Sequence, residues 1–367
     1  MPDDLAAQNY ECNGSWAPMT GSPVLTGLDE ARVSDWLAND AGLDLRPPFR
    51  FRRVGRGRSN LTFLVEDAAD QSLVLRRPPM GELLASAHDI GREFVFLTML
   101  SAAGQPVPRT LARCDDLSIT NACFYLMEHV PGIVAESEDV VQRELNLTAR
   151  AATGPALARA LARLQTADTT DPTFRQTVTT RGDAHAARQV RRWLLQWQRS
   201  KPYEVPLIDE VGSRLAAAIP VQREITVVHG DYGLHNAIVD ASGEVRAILD
   251  WEMATLGDPQ ADLAWLLMLW PERRDQVVAG PEPVSLMPGF CPRSEIIEAY
   301  ERESGRVPDD LAYWLALSHW KLAIAIAGIY KRWLQDPANG GDGAEFLGVE
   351  VEPLALKAAR AADEAGL

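Results

Sequence analysis

Three polar side chains near the middle of the sequence have the types and the spacing to activate a hydroxyl group beside a metal ion. Asp231 precedes Asn236 by five residues, and Asp250 ends the next strand-like run. Residues 237–250 predict a β-hairpin with a central turn, and a symmetric hairpin places Asn236 opposite Leu249 and beside Asp250. A carboxylate and an amide oxygen at one end of a hairpin suit Mg²⁺, which completes its shell with phosphate and water. Asp231 is then placed to accept a hydroxyl proton.

The spacing around Asp231 is typical of one group of enzymes. His229, Asp231 and Asn236 form the pattern HxDxxxxN, and a second aspartate follows at a strand end, as in protein-kinase-like phosphotransferases. The three-residue pattern alone arises by chance in about one chain in twenty of this length, and the hairpin makes chance much less plausible. The open alternative is a hydrolase metal site built from His229, His235 and Asp231. Such sites usually recruit further histidines, and the remaining ones lie in unrelated contexts.

The elements that must position these side chains are predicted from hydrophobic periodicity and turn signals. The first part of the chain predicts a helix over 28–41, strands over 49–54, 61–65 and 72–76, a helix over 88–103 and a strand over 122–130. Later predicted helices are 155–165, 184–199, 206–218, 294–303 and 310–334, with short strands over 225–251. Strands first and helices afterwards indicate an α+β protein with two lobes.

The predicted organisation is bilobal. A chain of 367 residues is long enough for two lobes with substantial cores. The predicted units are an N-terminal extension with a helix (1–46), a small antiparallel sheet lobe with one helix (47–131) and a larger, mainly helical lobe (132–367). The sheet lobe would bind nucleotide, and the helical lobe would carry the catalytic loop and the acceptor-binding helices.

Composition narrows the class of protein. Hydrophobic residues make up 46% and charged residues 24%, as in ordinary folded proteins. A formal net charge of −15 argues against nucleic acid and anionic membranes as partners. The four cysteines form no CxxC pair, and the first residues have no signal-peptide pattern. We therefore expect a soluble cytoplasmic protein with reduced thiols, no membrane span and a small-molecule substrate.

Further short motifs accompany the catalytic-loop pattern in a fixed order. They are GRSNLT (57–62), VLRRPP (74–79), AHD (87–89), RE (92–93), FYLME (124–128), HGDYGLHN (229–236), ILDWE (248–252), LGDP (256–259) and DLA (262–264). Together they resemble the aminoglycoside phosphotransferase (choline-kinase-like) family, and within it the branch related to the kinase modules that accompany acyl-CoA dehydrogenases. The resemblance covers about residues 49–270. It implies a protein-kinase-like fold with ATP between the lobes.

The resemblance also implies roles for the residues around the catalytic loop. Asp231 is implied to be the catalytic base, and Asn236 and Asp250 are implied to bind Mg²⁺. His229 and Asp262 would support the loop without reacting, although a helix cap or a surface acid stays open for Asp262. The implied cofactors are ATP and Mg²⁺.

The nucleotide side departs from the general kinase pattern. Kinases use a lysine of the third strand to hold phosphates and to pair with a helix glutamate, but no lysine precedes Lys201. Strand alternation puts Arg76 and Arg77 on opposite faces, and the resemblance places Arg76 at the lysine position with Glu93 as its partner. An arginine fork can hold carboxylate and phosphate, although it is not equivalent to lysine. The alternative is that Arg76 is a surface strand charge.

Two further segments are predicted to contact the nucleotide. The loop GRGRSN (55–60) has asparagine at the third glycine position of GxGxxG, and its backbone amides can still cap phosphates. The hinge after the strand over 122–130 would pair with adenine through one backbone carbonyl and one amide. The predicted nucleotide-binding residues of these two segments are Gly55, Gly57, Ser59, Asn60, Met127, Glu128 and Val130.

The predicted function is ATP- and Mg²⁺-dependent transfer of the γ-phosphate to the hydroxyl of a small molecule. A basic cluster on a predicted helix, interleaved with tryptophans, suits an anionic acceptor and consists of Arg188, Arg191, Arg192, Arg199 and Lys201. With the resemblance, it favours a hydroxyacyl-CoA or a similar metabolite over an aminoglycoside, while a solvated helix face remains the alternative. A catalytically silent nucleotide-binding protein also stays open, because lysine is replaced and the glycine loop is incomplete.

Overall fold

The first part of the molecule is an antiparallel sheet. The computed structural model describes residue 25 and residues 27–54, 60–79, 90–172, 174, 184–272, 283–336 and 343–367. The strands are β1 (Arg50–Val54), β2 (Leu61–Glu66), β3 (Ser72–Arg77), β4 (Thr110–Cys114) and β5 (Phe124–Glu128). The accompanying helices are α1 (Glu30–Asn39), α2 (Ile90–Ala102) and the short α3 (Leu117–Thr120). The strand order is β1-β2-β3-β5-β4, with every neighbouring pair antiparallel.

Each face of this sheet is covered by a helix, because alternating strand residues supply two apolar faces. On one face, Trp36 of α1 makes an edge-to-face contact with Phe124 at 5.0 Å between ring centroids, and Leu75 belongs to the same cluster. On the other face, Val74 packs in the core that contains Phe96 of α2. Consecutive residues of β3 therefore point to different helices.

The second part of the molecule is mainly helical. Its helices are α4 (Glu138–Glu144), α5 (Leu147–Leu164), α6 (His185–Ser200), α7 (Pro206–Ala217), α8 (Gln260–Met268), α9 (Arg293–Ser304), α10 (Leu311–Gln335) and α11 (Val351–Glu364). Its strands are β6 (Thr226–Val228), β7 (Ala237–Val239), β8 (Val245–Ile248) and β9 (Thr255–Gly257). They form two antiparallel pairs, β6 with β9 and β7 with β8. The predicted α+β class with two lobes is confirmed.

Two apolar cores hold the helical lobe together. Leu157 of α5 and Leu263 of α8 belong to a core that continues to α2. Trp197 of α6 and Trp320 of α10 are buried in a second core with α7 and α11. Helix α10 is long and apolar enough to cross a membrane by length and composition, but 61% of its most apolar stretch is buried inside the protein. It is the central helix of the second core.

Several boundaries differ from the sequence expectation. Helix α5 begins at Leu147 and continues through Pro155, where the sequence predicts its start. Proline lacks an N–H and opposes a helix interior, but buried residues lie on both sides of this one, so packing offsets the lost hydrogen bond. Strand β4 and helices α3, α4, α8 and α11 are not predicted from sequence. Strand β4 is a short edge strand with a register irregularity, which gives little alternation to detect.

The β7–β8 hairpin is bonded to the end of the lobe connection through one strand and to the sheet lobe through the other. Ile133, which follows the connection between the lobes, exchanges two backbone hydrogen bonds with Val239 at 2.8 and 2.9 Å. Ile248 on the other strand donates its N–H to the Pro106 carbonyl at 2.8 Å. Gly132 lies close to the hairpin, since a Cβ there would be 2.8 Å from the Val239 oxygen. Glycine is therefore required where the chain passes between the lobes.

Candidate active site

Asp231 is held by three side chains at the start of the hairpin. Trp265 of α8 donates its indole N–H to Oδ1 at 2.9 Å. His235 Nε2 lies 3.3 Å from Oδ2, and Asn236 Nδ2 donates to Oδ2 at 3.1 Å and to the Asp231 carbonyl at 2.9 Å. The side chain keeps 36% of its surface exposed, so the carboxylate is fixed in orientation but open to a substrate.

The electrostatics of Asp231 favour the carboxylate form. Burial raises its pKa, but the hydrogen bond and charge of His235, with contributions from His229 and Trp265, outweigh burial and bring the net pKa below the ordinary value. The group is therefore ionised at neutral pH. A weak, oriented base of this kind suits a reaction in which the hydroxyl proton leaves late.

The catalytic loop is supported from α8 and from the hairpin. The Asp262 carboxylate accepts the backbone N–H of His229 at 2.6 Å and of Gly230 at 2.9 Å. His229 Nε2 lies 2.8 Å from the Leu249 carbonyl. Asp262 has 1% of its surface exposed, and burial raises its pKa despite the two amide donors. Asp262 is therefore neither a surface acid nor a cap of its own helix; it ties the loop to α8.

The hairpin brings the two predicted metal ligands to one end. Leu249 donates its N–H to the Asn236 carbonyl at 2.8 Å, which is the predicted pairing, and Asp250 follows directly. Asp250 has a left-handed backbone conformation (φ 64°), unusual for a residue other than glycine. Within the described ranges, no group of three or more His, Cys, Asp or Glu can hold a metal ion. One carboxylate and one amide oxygen nevertheless fit Mg²⁺, which takes its remaining ligands from phosphate and water.

Arg76 joins the two lobes. Its Nε lies 2.9 Å from Glu93 Oε1, and its Nη2 lies 2.5 Å from Asp250 Oδ1. Glu93 has 1% and Arg76 has 8% of its surface exposed, so the alternative of a surface strand charge is wrong. Burial alone would lower the pKa of Arg76, but the carboxylates of Glu93 and Asp250 raise it above its ordinary value. The predicted pairing of Arg76 with Glu93 is therefore present, and both partners are buried.

Arg77 lies on the other face, as strand alternation predicts. It is buried, and it donates to the carbonyls of Pro78 and Gly27. Its pKa is lowered by burial. Arg77 therefore ties the segment before α1 to the sheet and lies away from Arg76's partners.

Only part of the predicted nucleotide-binding set falls on described residues. Gly55, Gly57 and Ser59 lie outside them. Asn60 is buried, and its Nδ2 lies 3.3 Å both from Glu93 and from Glu252, while its Oδ1 has no hydrogen-bond partner among the described residues. The structure thus brings Asn60 to the Arg76 network, from which its amide oxygen remains available to a ligand.

The predicted hinge follows β5. Met127 is buried opposite Val74, Glu128 pairs with Leu73 at the end of the ladder, and Val130 comes next in the connection to the second lobe. Glu128 donates its N–H to the Arg109 carbonyl at 2.9 Å. The three residues therefore lie at the junction of the lobes, as a hinge requires.

A cavity of about 300 Å³ lies beside the catalytic loop, where Gly230, Asp262 and Trp265 form part of its wall. Among the described residues, its charged lining consists of five cations and one carboxylate, namely Arg92, Arg188, Arg191, Arg192, Lys321 and Asp262. The carboxylate already accepts two backbone amides. Burial lowers the pKa of His185 to about 3, so this lining residue adds no charge. The cavity is therefore strongly positive.

The predicted basic helix face is only partly present at this cavity. Arg188, Arg191 and Arg192 line it, and Arg188 also donates to the Leu256 carbonyl at 2.9 Å. Lys201 instead pairs with Glu204 at 2.6 Å, and neither it nor Arg199 is a lining residue. Three of the five predicted cations thus share the cavity.

A comparison with known families decides the identity of the fold. Residues 50–314 match the phosphotransferase enzyme family, which is more than half of the chain. The chain belongs to this family. The predicted resemblance is confirmed, and the phosphotransferase fold accounts for the bilobal arrangement and for the position of the loop around Asp231.

Individual relatives of this chain carry varied names. Acyl-CoA dehydrogenase family member 10 of Mus musculus is 33% identical over 333 residues, which are 89% of this chain and 30% of the mouse protein. The chain thus spans less than a third of that relative's length. A structure from Ralstonia eutropha, provisionally named an aminoglycoside phosphotransferase, has a TM-score of 0.72 and 27% identity over 92% of this chain and 98% of its own. Spectinomycin phosphotransferase, solved with ADP and spectinomycin, shares the fold, with a TM-score of 0.54, 11% identity and coverage of 92% and 98%.

Sequence reasoning misses four residues of the candidate site: Arg92, Glu252, Trp265 and Lys321. Trp265 follows Asp262 by three residues and so shares its helix face, which was a usable signal. Lys321 is one of only four lysines and interrupts an apolar helical run, which was another signal. Arg92 and Glu252 reach the site only through tertiary packing of α2 and the turn Trp251–Met253.

Proposed function

We propose that the chain is an ATP- and Mg²⁺-dependent phosphotransferase that transfers the γ-phosphate to the hydroxyl of a small anionic acceptor, such as a hydroxyacyl-CoA. The observation that supports this proposal is the group of side chains that meets at the end of the β7–β8 hairpin. There Asn236 donates its side-chain N–H to the carboxylate of Asp231, Asp250 follows the residue that pairs with Asn236, and Arg76 links Asp250 to Glu93. Positioning and charge neutralisation are the main contributions to phosphoryl transfer, and this network supplies both.

The residues of the chain divide the work between base and nucleotide. Asp231 accepts the proton of the acceptor hydroxyl as that oxygen bonds to the γ-phosphorus and the bond to ADP breaks. Trp265 and Asn236 hold its two carboxylate oxygens so that a lone pair faces the acceptor. Arg76, Asn60 and the hinge contact the nucleotide. Mg²⁺, held by Asn236 and Asp250, would neutralise charge that develops on the phosphate oxygens.

The sign of the cavity charge supports an anionic acceptor. Five cations against one amide-bonded carboxylate attract phosphate or carboxylate groups and repel the polycationic aminoglycosides. Arginine forks at Arg188, Arg191 and Arg192 can bind phosphate in bidentate fashion. A coenzyme A thioester with a hydroxylated acyl chain joins the required hydroxyl to such a phosphate-bearing handle.

The test is ADP release from ATP and Mg²⁺ with a panel of hydroxyacyl-CoAs and with kanamycin as the polycationic comparison. We expect turnover with at least one hydroxyacyl-CoA, a phosphorylated product by mass spectrometry, and loss of turnover in Asp231→Asn. Turnover of kanamycin alone would contradict the anionic acceptor but keep the phosphotransferase. ATP binding without ADP release for any acceptor would favour the catalytically silent alternative.

A further inference from the structure

Lys321 occupies an unusual place in the wall of the cavity. It projects from the apolar helix α10, and its ammonium lies over two indole rings, 4.7 Å from the centroid of Trp265 and 5.7 Å from that of Trp193. Both distances are within the range of cation–π attraction, which is strongest for tryptophan and grows when the cation is desolvated. The lysine is thus sandwiched by rings from α6 and α8.

Both rings are themselves tied to other groups. Trp193 donates its indole N–H to Gln189 Oε1 at 3.2 Å on the same helix. Trp265 donates its indole N–H to Asp231 Oδ1 at 2.9 Å. The ammonium of Lys321 therefore lies one side chain away from the carboxylate that takes the proton, and the connecting side chain is an aromatic ring with a single N–H donor.

We propose that Lys321 is a positioning residue that acts on Asp231 through Trp265. The ammonium fixes the orientation of the Trp265 indole, and the indole N–H fixes Oδ1 of Asp231. This rests on the proposed function, in which Asp231 is the base. It assigns α10 a role in the chemistry, although α10 contributes none of the residues of the catalytic loop.

Two physical effects connect the ammonium to the carboxylate. First, a cation over the ring face restrains the rotamer of Trp265, in addition to its packing contacts and its hydrogen bond to Asp231. Second, the positive charge polarises the indole and makes its N–H a stronger donor, because hydrogen bonds in a low-dielectric site reinforce one another. Both effects hold Oδ1 at Trp265 while Oδ2 stays in contact with His235 and Asn236, so that the carboxylate keeps one orientation.

The alternative is that Lys321 binds the anionic acceptor directly. The charged groups that face it are Asp231 on the catalytic loop, Asp262 on α8 and Arg192 on α6, together with the neutral imidazole of His185, while Arg92, Arg188 and Arg191 line the rest of the cavity. The guanidiniums already provide bidentate anion sites. The stacking of the ammonium on two rings favours the positioning role.

The first test observes the hydrogen bond itself by NMR of indole ¹⁵N–¹H groups. The Trp265 resonance is identified by its absence in Trp265→Phe, and we expect it downfield in the wild type because its N–H is bonded to a carboxylate. It should move upfield in Lys321→Met, stay near the wild-type position in Lys321→Arg, and move partly in Trp193→Leu. Lys331→Met is the matched control, because Lys331 lies on the same helix and donates to the Arg199 carbonyl away from the cavity. An unmoved Trp265 resonance in folded Lys321→Met would overturn the proposal.

The second test is a double-mutant cycle on turnover, measured by ADP release with hydroxybutyryl-CoA and with water as acceptors. Lys321→Met and Trp265→Phe should each lower kcat by about 3- to 30-fold with little change in KM, and the double variant should lose no more than Trp265→Phe. Additive losses, or a rise in KM alone, would show that the lysine acts on the acceptor. If Asp231→Asn retains turnover, the assignment of Asp231 as the base in the proposed function is wrong. If Asp231→Asn loses turnover but Lys321→Met has a normal kcat, the proposed function stands and the positioning role of Lys321 is wrong.

Discussion

The nucleotide side and the acceptor side of the site handle charge in opposite ways. Around Arg76, one buried guanidinium is matched by the carboxylates of Glu93 and Asp250. In the cavity, five cations face one carboxylate that is already bonded to two amides. The first region holds one guanidinium between two carboxylates, whereas the lining of the second carries more cations than carboxylates, which favours an anionic ligand. The contrast indicates that the nucleotide side is organised before substrate binds and that the acceptor supplies part of the charge balance on the other side.

The largest effect should come from the residue where the two regions meet. Asp231→Asn removes the base but keeps the shape of the side chain, so turnover should fall by about 10² to 10⁴ while ATP affinity stays close to wild type. Steady-state ADP release and calorimetric ATP titration measure the two quantities. Asp240→Asn, in the turn of the same hairpin, is the matched control and should stay near normal. Near-normal turnover of Asp231→Asn would remove the base from the mechanism.

The network of Arg76, Glu93 and Asp250 on the nucleotide side is tested by removing the arginine side chain. Arg76→Ala leaves Glu93 buried without its cation, and since hydrogen bonds to charged groups contribute about 1.5–3 kcal/mol, ATP affinity should fall about 10- to 100-fold. Asp250→Ala should instead abolish the dependence of nucleotide binding on Mg²⁺. Titration with ATP in the presence and absence of Mg²⁺ separates the two outcomes.

Arg77→Ala is the control for the face of β3 that carries Arg76, because the Arg77 side chain lies on the opposite face of the sheet. It should lower the thermal midpoint, since the contacts to Gly27 and Pro78 are lost, and leave ATP affinity unchanged in the remaining folded protein. Equal losses of ATP affinity in Arg76→Ala and Arg77→Ala would show that β3 presents its other face to the nucleotide.

The cavity on the acceptor side is tested by removing positive charge from its lining. Arg191 and Arg192 are exposed, where each ion pair contributes about 0.2–1 kcal/mol, so the double alanine variant should raise KM for an anionic acceptor by about 30-fold at most. The difference should shrink as salt is added. Arg199→Ala with Lys201→Ala removes the same charge from the same region outside the cavity, and an equal rise in KM there would dissociate acceptor binding from the cavity.

The smallest expected effect is a pH dependence on the alkaline side. Burial lowers the pKa of Lys321 to about 8, against the opposing charges of Asp262 and Asp231. The ammonium is present below that pH and is lost above it, so the cation–π contact weakens and kcat should fall a few-fold as pH rises through about 8. Lys321→Arg stays charged throughout, and its kcat profile should lack this step. A step that persists in Lys321→Arg would belong to another group.

The geometry around the hairpin could be predicted because it depends on local rules. A short turn and the period of two place Asn236 opposite Leu249, and this pairing holds even though the register shifts closer to the turn. The opposite directions of Arg76 and Arg77 follow from the same alternation. These elements need no information about distant parts of the chain.

The acceptor cavity could be predicted only in part, because its wall is assembled from helices far apart in sequence. The spacing on α6 placed Arg188 and Arg192 on one face, but nothing local relates them to Arg92 on α2 or Lys321 on α10. Helix α5 was predicted too short for a related reason: burial of the helix on both sides of Pro155 outweighs the local signal of the proline. Tertiary packing decides both features.

The attachments of the hairpin to the lobe connection and to the sheet lobe have a mechanical consequence. Ile133 is hydrogen-bonded to one of its strands and Pro106 to the other, so the hairpin lies at the axis about which the sheet lobe would rotate. A rotation of the sheet lobe about the hairpin would leave Asn236 and Asp250 almost stationary at the end of the hairpin. Arg76 would move farther, because it lies farther from the axis. Opening the cleft should then separate Arg76 from Asp250 before it disturbs Asp231, so that nucleotide exchange and the alignment of the base are mechanically uncoupled.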